Sequence, residues 1–437
     1  SRPTFRHGVH PEESKDATRA LPIERMPFVD EYVLPLSMHT GAPATPTVGP
    51  GESVERGQRI ADPAGYISTA IHAPVTGTVA GIESRFHPNG RRVPAIVIRT
   101  DRFANQTFDP RTMPDWRSMP EPDLVRMVQE AGLVGLGGAA FPSHVKLSVP
   151  EGKRARFVIL NGCECEPYLT CDHRVMLERP DAVLRGLRIL MARVGAERGY
   201  VGVEVNKPDA IAALREAAAN MSDVEVFGLQ VKYPQGAEKM LIEAVFKKEL
   251  PGGKLPIDLE TVVNNVGTSA ALADLLETGL PLIERVVTVT GPGIRRPANV
   301  LVPIGTPLRD LVEWCGGMLP SARQVILGGP MMGQTMKTLD APVVKGPSGV
   351  LVLDREVEIP QEDPCIRCGR CLEACPVYLN PSRLAVLVRN EATDGLRQLN
   401  MMDCMECASC SFSCPSHIPL VQLMRMGKAL VRQSGKK

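Results

Sequence analysis

The chain has 437 residues, enough for several domains, and 43% of them are hydrophobic, enough to build real cores. Lys and Arg number 50 against 49 Asp and Glu, so the formal charge of +1 sets up no global field toward nucleic acid or anionic lipid. Aromatic residues make up only 4%, so aromatic-lined nucleic-acid grooves are not expected, and no apolar run approaches the length that spans a bilayer.

In chain order, residues 1–30 are polar and Pro-containing and read as an arm that packs against something else. Its start, Ser1-Arg2-Pro3-Thr4-Phe5-Arg6-His7, lacks the apolar stretch of a secretory signal, which points to a reducing compartment. From 31 to 110, short β-like stretches alternate with turn signals: Thr47-Val48-Gly49-Pro50-Gly51, Val54-Glu55-Arg56-Gly57-Gln58 and Ala73-Pro74-Val75-Thr76-Gly77-Thr78-Val79. Period-two alternation bounded by Gly and Pro predicts a small all-β unit. The stretch from Ala73 to Val79 resembles the barrel-sandwich domain of biotinyl and lipoyl carriers. Their modified lysine would fall near Tyr66, and no lysine lies between Gly57 and Pro74. A structural module without carrier chemistry is expected.

Residues 111–285 alternate helical stretches (122–131, 181–193, 209–219) with β-rich runs such as 157–160, the signature of a Rossmann-like α/β domain with a parallel sheet. Four loops in it carry polar chemistry. Gly132-Leu133-Val134-Gly135-Leu136-Gly137-Gly138-Ala139-Ala140-Phe141-Pro142 lets backbone N–H groups approach an anion, and Lys146 follows closely. Its spacing is not the ordinary dinucleotide fingerprint, and loops also need glycine for turns alone. Asn161-Gly162-Cys163-Glu164-Cys165-Glu166-Pro167 follows a predicted strand, where ligands of open α/β sheets gather. Tyr233-Pro234-Gln235-Gly236-Ala237-Glu238 and Val263-Asn264-Asn265-Val266-Gly267-Thr268 come next; the paired asparagines suit either a helix cap or a flavin edge. Cys163, Cys165 and Cys171, with Asp172 and His173 nearby, suit either pocket packing or a further metal centre.

Residues 286–340 change character: strand 286–291, helix 307–315 and strand 324–329 predict a small β-grasp domain of the SLBB type, with Cys315 in its core. A Pro/Gly-rich linker, 341–360, leads to a module at 361–425. There Cys365-x2-Cys368-x2-Cys371-x3-Cys375-Pro376 is repeated as Cys404-x2-Cys407-x2-Cys410-x3-Cys414-Pro415. This is the bacterial ferredoxin spacing, in which the fourth cysteine of each run binds the other run's cluster. Two 4Fe–4S clusters are therefore expected, one on Cys365, Cys368, Cys371 and Cys414, the other on Cys404, Cys407, Cys410 and Cys375. Zinc usually takes single or paired C-x-x-C units rather than a duplicated run of four, and disulfides do not suit a reducing compartment. The end of the chain has no acidic residue after Cys414. Residues 426–437 read as a basic tail, either a docking element or a helix covering the cluster module.

The four loops together resemble the flavin- and NADH-binding subunit of respiratory complex I. A closer resemblance is to the RnfC family, a component of Rnf electron-transport complexes. It rests on Gly8-Val9-His10-Pro11-Glu12-Glu13-Ser14-Lys15, the Gly-rich loop, Glu164-Cys165-Glu166-Pro167-Tyr168-Leu169-Thr170, Tyr233-Pro234-Gln235-Gly236 and the paired cysteine runs, in one order over the whole chain. The resemblance implies FMN and two 4Fe–4S clusters as cofactors, NADH as substrate, and electron input to a membrane-bound, ion-translocating NADH:ferredoxin oxidoreductase. Gly135, Gly137, Gly138, Phe141, Lys146, Asn161, Glu164, Glu166, Glu238, Asn264, Asn265 and Thr268 are the implied cofactor contacts, with Glu164, Glu166 and Lys146 nearest the chemistry. Phe141 suits a cofactor stack and a core position equally. Implied partners are the Rnf membrane subunits, including ferredoxin-type and flavin-bearing ones, with this chain peripheral on the cytoplasmic face of the bacterial inner membrane. Val134 and Leu136 replace arginines of the complex I loop, and Cys163 replaces an acidic residue. Two alternatives stand beside this reading: a soluble reductase of the cobalamin reductase type, which has a similar core and paired cluster runs, and, motivated by these departures, a cluster-bearing scaffold that has lost NADH binding.

Overall fold

The computed structural model describes residues 2–354 and 361–435. The remainder, which includes the end of the expected linker and the last two lysines, lies outside the described residues.

The first unit is two facing antiparallel sheets. One has four strands in the order Glu31–Pro35, Arg92–Thr100, Gly77–Phe86, Ser53–Val54; the other has Thr45–Pro46, Arg59–Asp62 and Ile71–His72. Tyr32, Leu34, Ile60, Ile71, Val79, Ile96 and Ile98 fill the space between them. Gly77 admits no side chain, because a β carbon there would run into the Arg99 carbonyl. At the tip where a carrier would hold its lysine, Tyr66 stands 59% exposed. The tip does not swing free: the Tyr66 carbonyl lies 2.7 Å from Nε2 of His144 in the next domain.

The α/β domain holds four parallel strands in the order Val224–Leu229, Arg198–Glu204, Phe157–Gly162, Thr261–Asn265. Val158, Ile159 and Leu160 are all buried, as expected of a parallel strand covered on both faces. Helices Pro180–Val194 and Val266–Thr278 pack together on one side; Gly186 lets them approach, since a β carbon there would strike the Ser269 backbone. Pairing of Phe157–Gly162 with Thr261–Asn265 sets Asn161 opposite Asn265. The two asparagine-bearing loops are thereby adjacent strand ends.

The third unit corrects two sequence expectations. Its six-stranded sheet runs Ile23–Arg25, Ala298–Pro303, Glu284–Thr290, Gly349–Leu353, Gln324–Leu327, Gln334–Thr335, with helix Leu308–Trp314 and the buried Cys315 packed on it. Residues 349–353, expected in a linker, form an interior strand, and residues 23–25 of the expected arm form an edge strand. The physical reason is that Gly349-Val350-Leu351-Val352 is apolar and β-branched and buries completely once paired on both sides. The Pro/Gly-rich residues just before it are the crossing into that strand.

The last unit is helical. The expected boundary between cluster module and basic tail, at 425/426, falls inside one helix, Leu420–Ser434, which buries Leu420, Val421, Leu423, Met424 and Gly427. Its cations are used locally: Arg425 and Lys428 both pair with Glu406. An apolar face at helical spacing decides the structure here, and Arg425 and Lys428 flank it, with Lys428 reaching inward to the Cys404 carbonyl.

Candidate functional site

The Gly-rich loop leaves the helix Glu121–Glu130 through Gly132, whose φ of 73° no β-carbon-bearing residue adopts without strain. It is pinned from within: Gly135 N donates to Phe141 O at 2.8 Å, and Leu136 N donates to Thr268 Oγ1 at 2.9 Å. Gly137, Gly138 and Ala139 face outward. A β carbon on Gly138 would meet nothing within 4 Å, and one on Gly137 would come no closer than 3.6 Å to Asn265. The loop therefore offers a bare stretch of backbone beside a side-chain amide.

Behind it stand two buried cations from the β-grasp unit. Arg285 donates through Nη1 to Lys345 O and Gly346 O, and through Nη2 to Leu136 O. Lys345 Nζ donates to Ala70 O at 2.8 Å and Gly132 O at 2.7 Å, joining three units at one atom. Burial pushes the Lys345 pKa down to about 7. A neutral amine still has the two N–H groups that its two carbonyl partners need.

At the strand ends, Asn161 Nδ2 donates to Gly236 O (2.7 Å), and its Oδ1 accepts from Cys163 N. Asn265 caps the helix Val266–Thr278 through Gly267 N and Thr268 N, and its amide donates to Asp172 Oδ2 at 2.6 Å. Lys146 Nζ donates to Glu238 Oε1 (2.7 Å) and to Val263 O (2.8 Å), beside Asn264. Asn264 is 5% exposed, and its Nδ2 has no partner among the described residues. Phe141 is half-buried, with no aromatic ring packed on it among the described residues.

The two glutamates are engaged elsewhere. Glu164, at φ 48°, accepts from Asp172 N (2.7 Å) and His173 N (3.3 Å) and so caps the helix Cys171–Glu178. Glu166 accepts from Met331 N and Met332 N, tying the loop to the β-grasp unit, and burial raises its pKa to about 7. Lys15 of the N-terminal arm donates to the carbonyls of Glu164 (2.9 Å), Glu166 (2.9 Å) and Leu169 (2.5 Å). Burial lowers its pKa, and Glu164 opposes that shift. Sequence reasoning missed Lys15, Arg285 and Lys345 as parts of this site. Only Lys15 carried a signal, as the last residue of the Gly8–Lys15 motif.

Cys365, Cys368, Cys371 and Cys414 line one cavity of about 570 Å³. Cys375, Cys404, Cys407 and Cys410 line a second of about 20 Å³. Cys365 and Cys368 are exposed, whereas Cys371 and Cys375 are buried. The upstream cysteines have other neighbours. Cys165 Sγ accepts from Gly236 N, the Cys163 carbonyl accepts from the buried Lys207, and Cys171 is buried. His173 pairs with Asp209 at 2.8 Å rather than turning toward them. Among the described residues, no three His, Cys, Asp or Glu side chains converge as they would on a single metal ion.

The residues around Asn264 suit FMN. An orphaned buried donor, a bare glycine backbone and a lysine together match a ligand with ring carbonyls, hydroxyls and a phosphate.

Comparison with known proteins gives four family matches along the chain. They are an RnfC barrel sandwich hybrid domain over residues 3–103, a Nuo51 FMN-binding domain over 128–274, an SLBB domain over 286–335 and a 4Fe-4S dicluster domain over 361–418. The C subunit of the proton-translocating ferredoxin:NAD(+) oxidoreductase complex of Clostridium ljungdahlii is 44% identical over 99% of this chain and 95% of its own. The corresponding subunit of the Na(+)-translocating ferredoxin:NAD(+) oxidoreductase complex of Acetobacterium woodii is 44% identical over 92% of this chain and 90% of its own. That of the ion-translocating oxidoreductase complex of Rhodobacter capsulatus is 40% identical over 99% of this chain and 84% of its own. Among solved structures, an NAD+-reducing [NiFe]-hydrogenase in the air-oxidized state matches with a TM-score of 0.51 at 19% identity. That match covers 74% of this chain and 64% of the hydrogenase chain, and it shows a shared fold.

Proposed function

The chain belongs to the RnfC family, the C subunits of ion-translocating ferredoxin:NAD+ oxidoreductase complexes, and from that premise we propose that it is the electron-input subunit, taking a hydride from NADH and passing single electrons to two 4Fe–4S clusters. FMN, when bound, supplies the exchange between a two-electron hydride and single electrons. The chain supplies position. Gly137 and Gly138 present backbone N–H groups to the phosphate end, Gly135 shapes the loop through its bond to Phe141 O, and Lys146, balanced by Glu238, supplies positive charge. Asn161, Asn264, Asn265 and Thr268 orient the polar edge, with the free amide of Asn264 as the direct donor. Glu164 and Glu166 hold the neighbouring loop in shape for NADH, and Phe141 borders the ring. Cys365, Cys368, Cys371 and Cys414 hold one cluster; Cys404, Cys407, Cys410 and Cys375 hold the other.

One observation carries this reading: the bare backbone of Gly137 lies beside the Asn265 amide, and the next residue back along the strand, Asn264, holds a buried amide donor without a partner among the described residues, in a chain whose eight run cysteines line two cavities. Val134 and Leu136, which stand where complex I has arginines, are buried. Arg285 donates to the Leu136 carbonyl from behind the loop and supports its backbone.

As a member of a multisubunit family the chain works with other subunits of its complex; we assign it ferredoxin-type and flavin-bearing membrane partners on the cytoplasmic face. No described helix is long and apolar enough to cross a membrane, so it would attach peripherally through those partners. Anaerobic NADH titration of reconstituted protein, followed by visible absorption and EPR, tests the reading. Flavin bleaching with two reduced-cluster signals is expected. Flavin absorbance that NADH leaves unchanged would sink the role.

A further inference from the structure

The two cluster cavities differ in what touches them. Tyr233 is buried, and its hydroxyl donates to the backbone carbonyl of Cys407 at 2.9 Å. The same turn reaches the flavin loop: Gly236 O accepts from Asn161, and Gly236 N donates to Cys165 Sγ. On the other side Tyr233 exchanges two backbone hydrogen bonds with Val9 of the arm, at 2.8 and 2.9 Å. Two residues earlier, His7 Nδ1 lies 3.1 Å from the carbonyl of Cys375, with its ring edge against Tyr378. Val9, Tyr233, Cys165, Met331, Ala374 and Cys407 close into one apolar cluster. Two cysteines of the near-closed cavity are therefore gripped, through their own carbonyls, by side chains of the arm and the flavin domain.

Nothing comparable holds the other cavity. Among the described residues, no side chain of the arm or flavin domain bonds to Cys365, Cys368, Cys371 or Cys414. It is open, Cys365 and Cys368 are exposed, and Ile366 on its rim is 68% exposed.

We propose that the cluster on Cys404, Cys407, Cys410 and Cys375 is the first to be reduced, the cluster on Cys365, Cys368, Cys371 and Cys414 is the outlet, and Tyr233 and His7 are positioning residues that hold the first against the flavin domain. This order rests on the electron-input reading above. Each passage removes one electron from the flavin site, reduces the inner cluster, and reoxidises it as the outer one is reduced. Two passages discharge one hydride and leave its proton to solvent. A buried hydroxyl bonded to a carbonyl suits this positioning role, because it fixes the approach of two domains without placing a charge beside a cluster.

The test uses the full reconstituted chain with Cys368→Ser or Cys407→Ser, and dithionite-reduced EPR to identify the cluster that remains. Electrons are then admitted through the flavin, once with NADH and once by photoreduction of the flavin itself, and samples are freeze-quenched for EPR. The photoreduction arm separates the cluster order from NADH use: if NADH fails and light succeeds, the electron-input reading fails and the order is still read. Cys368→Ser should leave the inner cluster reduced at the wild-type rate. Cys407→Ser should leave an outer cluster that dithionite reduces but the flavin does not; the reverse pattern overturns the order. If a cysteine variant loses both clusters, Tyr233→Phe decides. It should keep both clusters and slow their flavin-driven reduction, with dithionite reduction unchanged; a wild-type rate overturns the role of Tyr233.

Discussion

The Gly-rich loop at 132–142 and the acidic loop at 161–170 belong to one domain, yet each is fastened by cations from another part of the chain. Lys15 of the arm holds three carbonyls of the acidic loop, while Arg285 and Lys345 of the β-grasp unit hold carbonyls of the Gly-rich loop. Their electrostatic settings differ. Lys15 is lowered by burial, but Glu164 and Glu204 counter it, whereas nothing offsets the burial of Lys345. A buried ammonium with carboxylates nearby keeps its charge more readily; one with only carbonyl partners is poised near neutrality. The same kind of fastening thus gives one loop a cation backed by carboxylates and the other a cation backed by none.

The largest effect should follow Lys15→Met, which leaves three loop carbonyls without their donor and Glu204 without part of its counter-charge. A loss of about 3–5 kcal/mol in denaturant unfolding is expected, and a loss below about 1 kcal/mol would remove Lys15 from the comparison. Arg285→Met should come next, at about 2–4 kcal/mol, with weaker flavin retention. Arg285→Lys should rescue little of it, since an ammonium cannot span the carbonyls that the guanidinium fork reaches.

Lys345 makes the contrast depend on pH. Its folded pKa of about 7 lies below the ordinary 10.5, so between those values the unfolded chain binds the proton that the folded chain has released. Stability from this group should therefore rise with pH across that window, by up to about 1.4 kcal/mol per pH unit. Subtracting the pH–stability curve of Lys345→Met from that of the wild type isolates it; a flat difference would mean that Lys345 stays charged when folded. The smallest change in stability should come from Asn264→Ala, within about 0.5 kcal/mol, because the deleted donor has no partner. Its effect should appear in flavin affinity, weakened about five- to tenfold and read by fluorescence of released FMN. Equal retention would give the holding of flavin to loop fastening alone.

Parts of this arrangement were legible because their residues are neighbours in sequence. The cysteine runs, the glycines of 132–138 and the asparagine pair each occupy one short stretch, and local spacing specifies local geometry. The fastening cations left no such mark. Lys15 and Glu164 are separated by 149 positions, as are Arg285 and Leu136, and Lys345 and Gly132 by 213. Their acceptors are backbone carbonyls, which every residue has. Glu164 and Glu166 show the converse: the motif marked them as important, but their backbone partners at 172, 173, 331 and 332 appear only in the folded chain. The strand Gly349–Leu353 was hidden by the prolines and glycines before it, whereas the final helix matches the covering helix read from the basic tail, with an earlier start at Leu420.

The sheet that joins Ile23–Arg25 to Ala298–Pro303 and places Gly349–Leu353 in its interior also sets a timetable. On a ribosome, the first of these strands must wait for about two-thirds of the chain, because its partner strand is Ala298–Pro303. Lys345, which locks the Gly-rich loop, appears just before the last interior strand. The flavin domain can fold while synthesis continues, but its Gly-rich loop is secured only when that strand closes the sheet. The Gly-rich loop is thus fixed late, shortly before the cluster cysteines emerge.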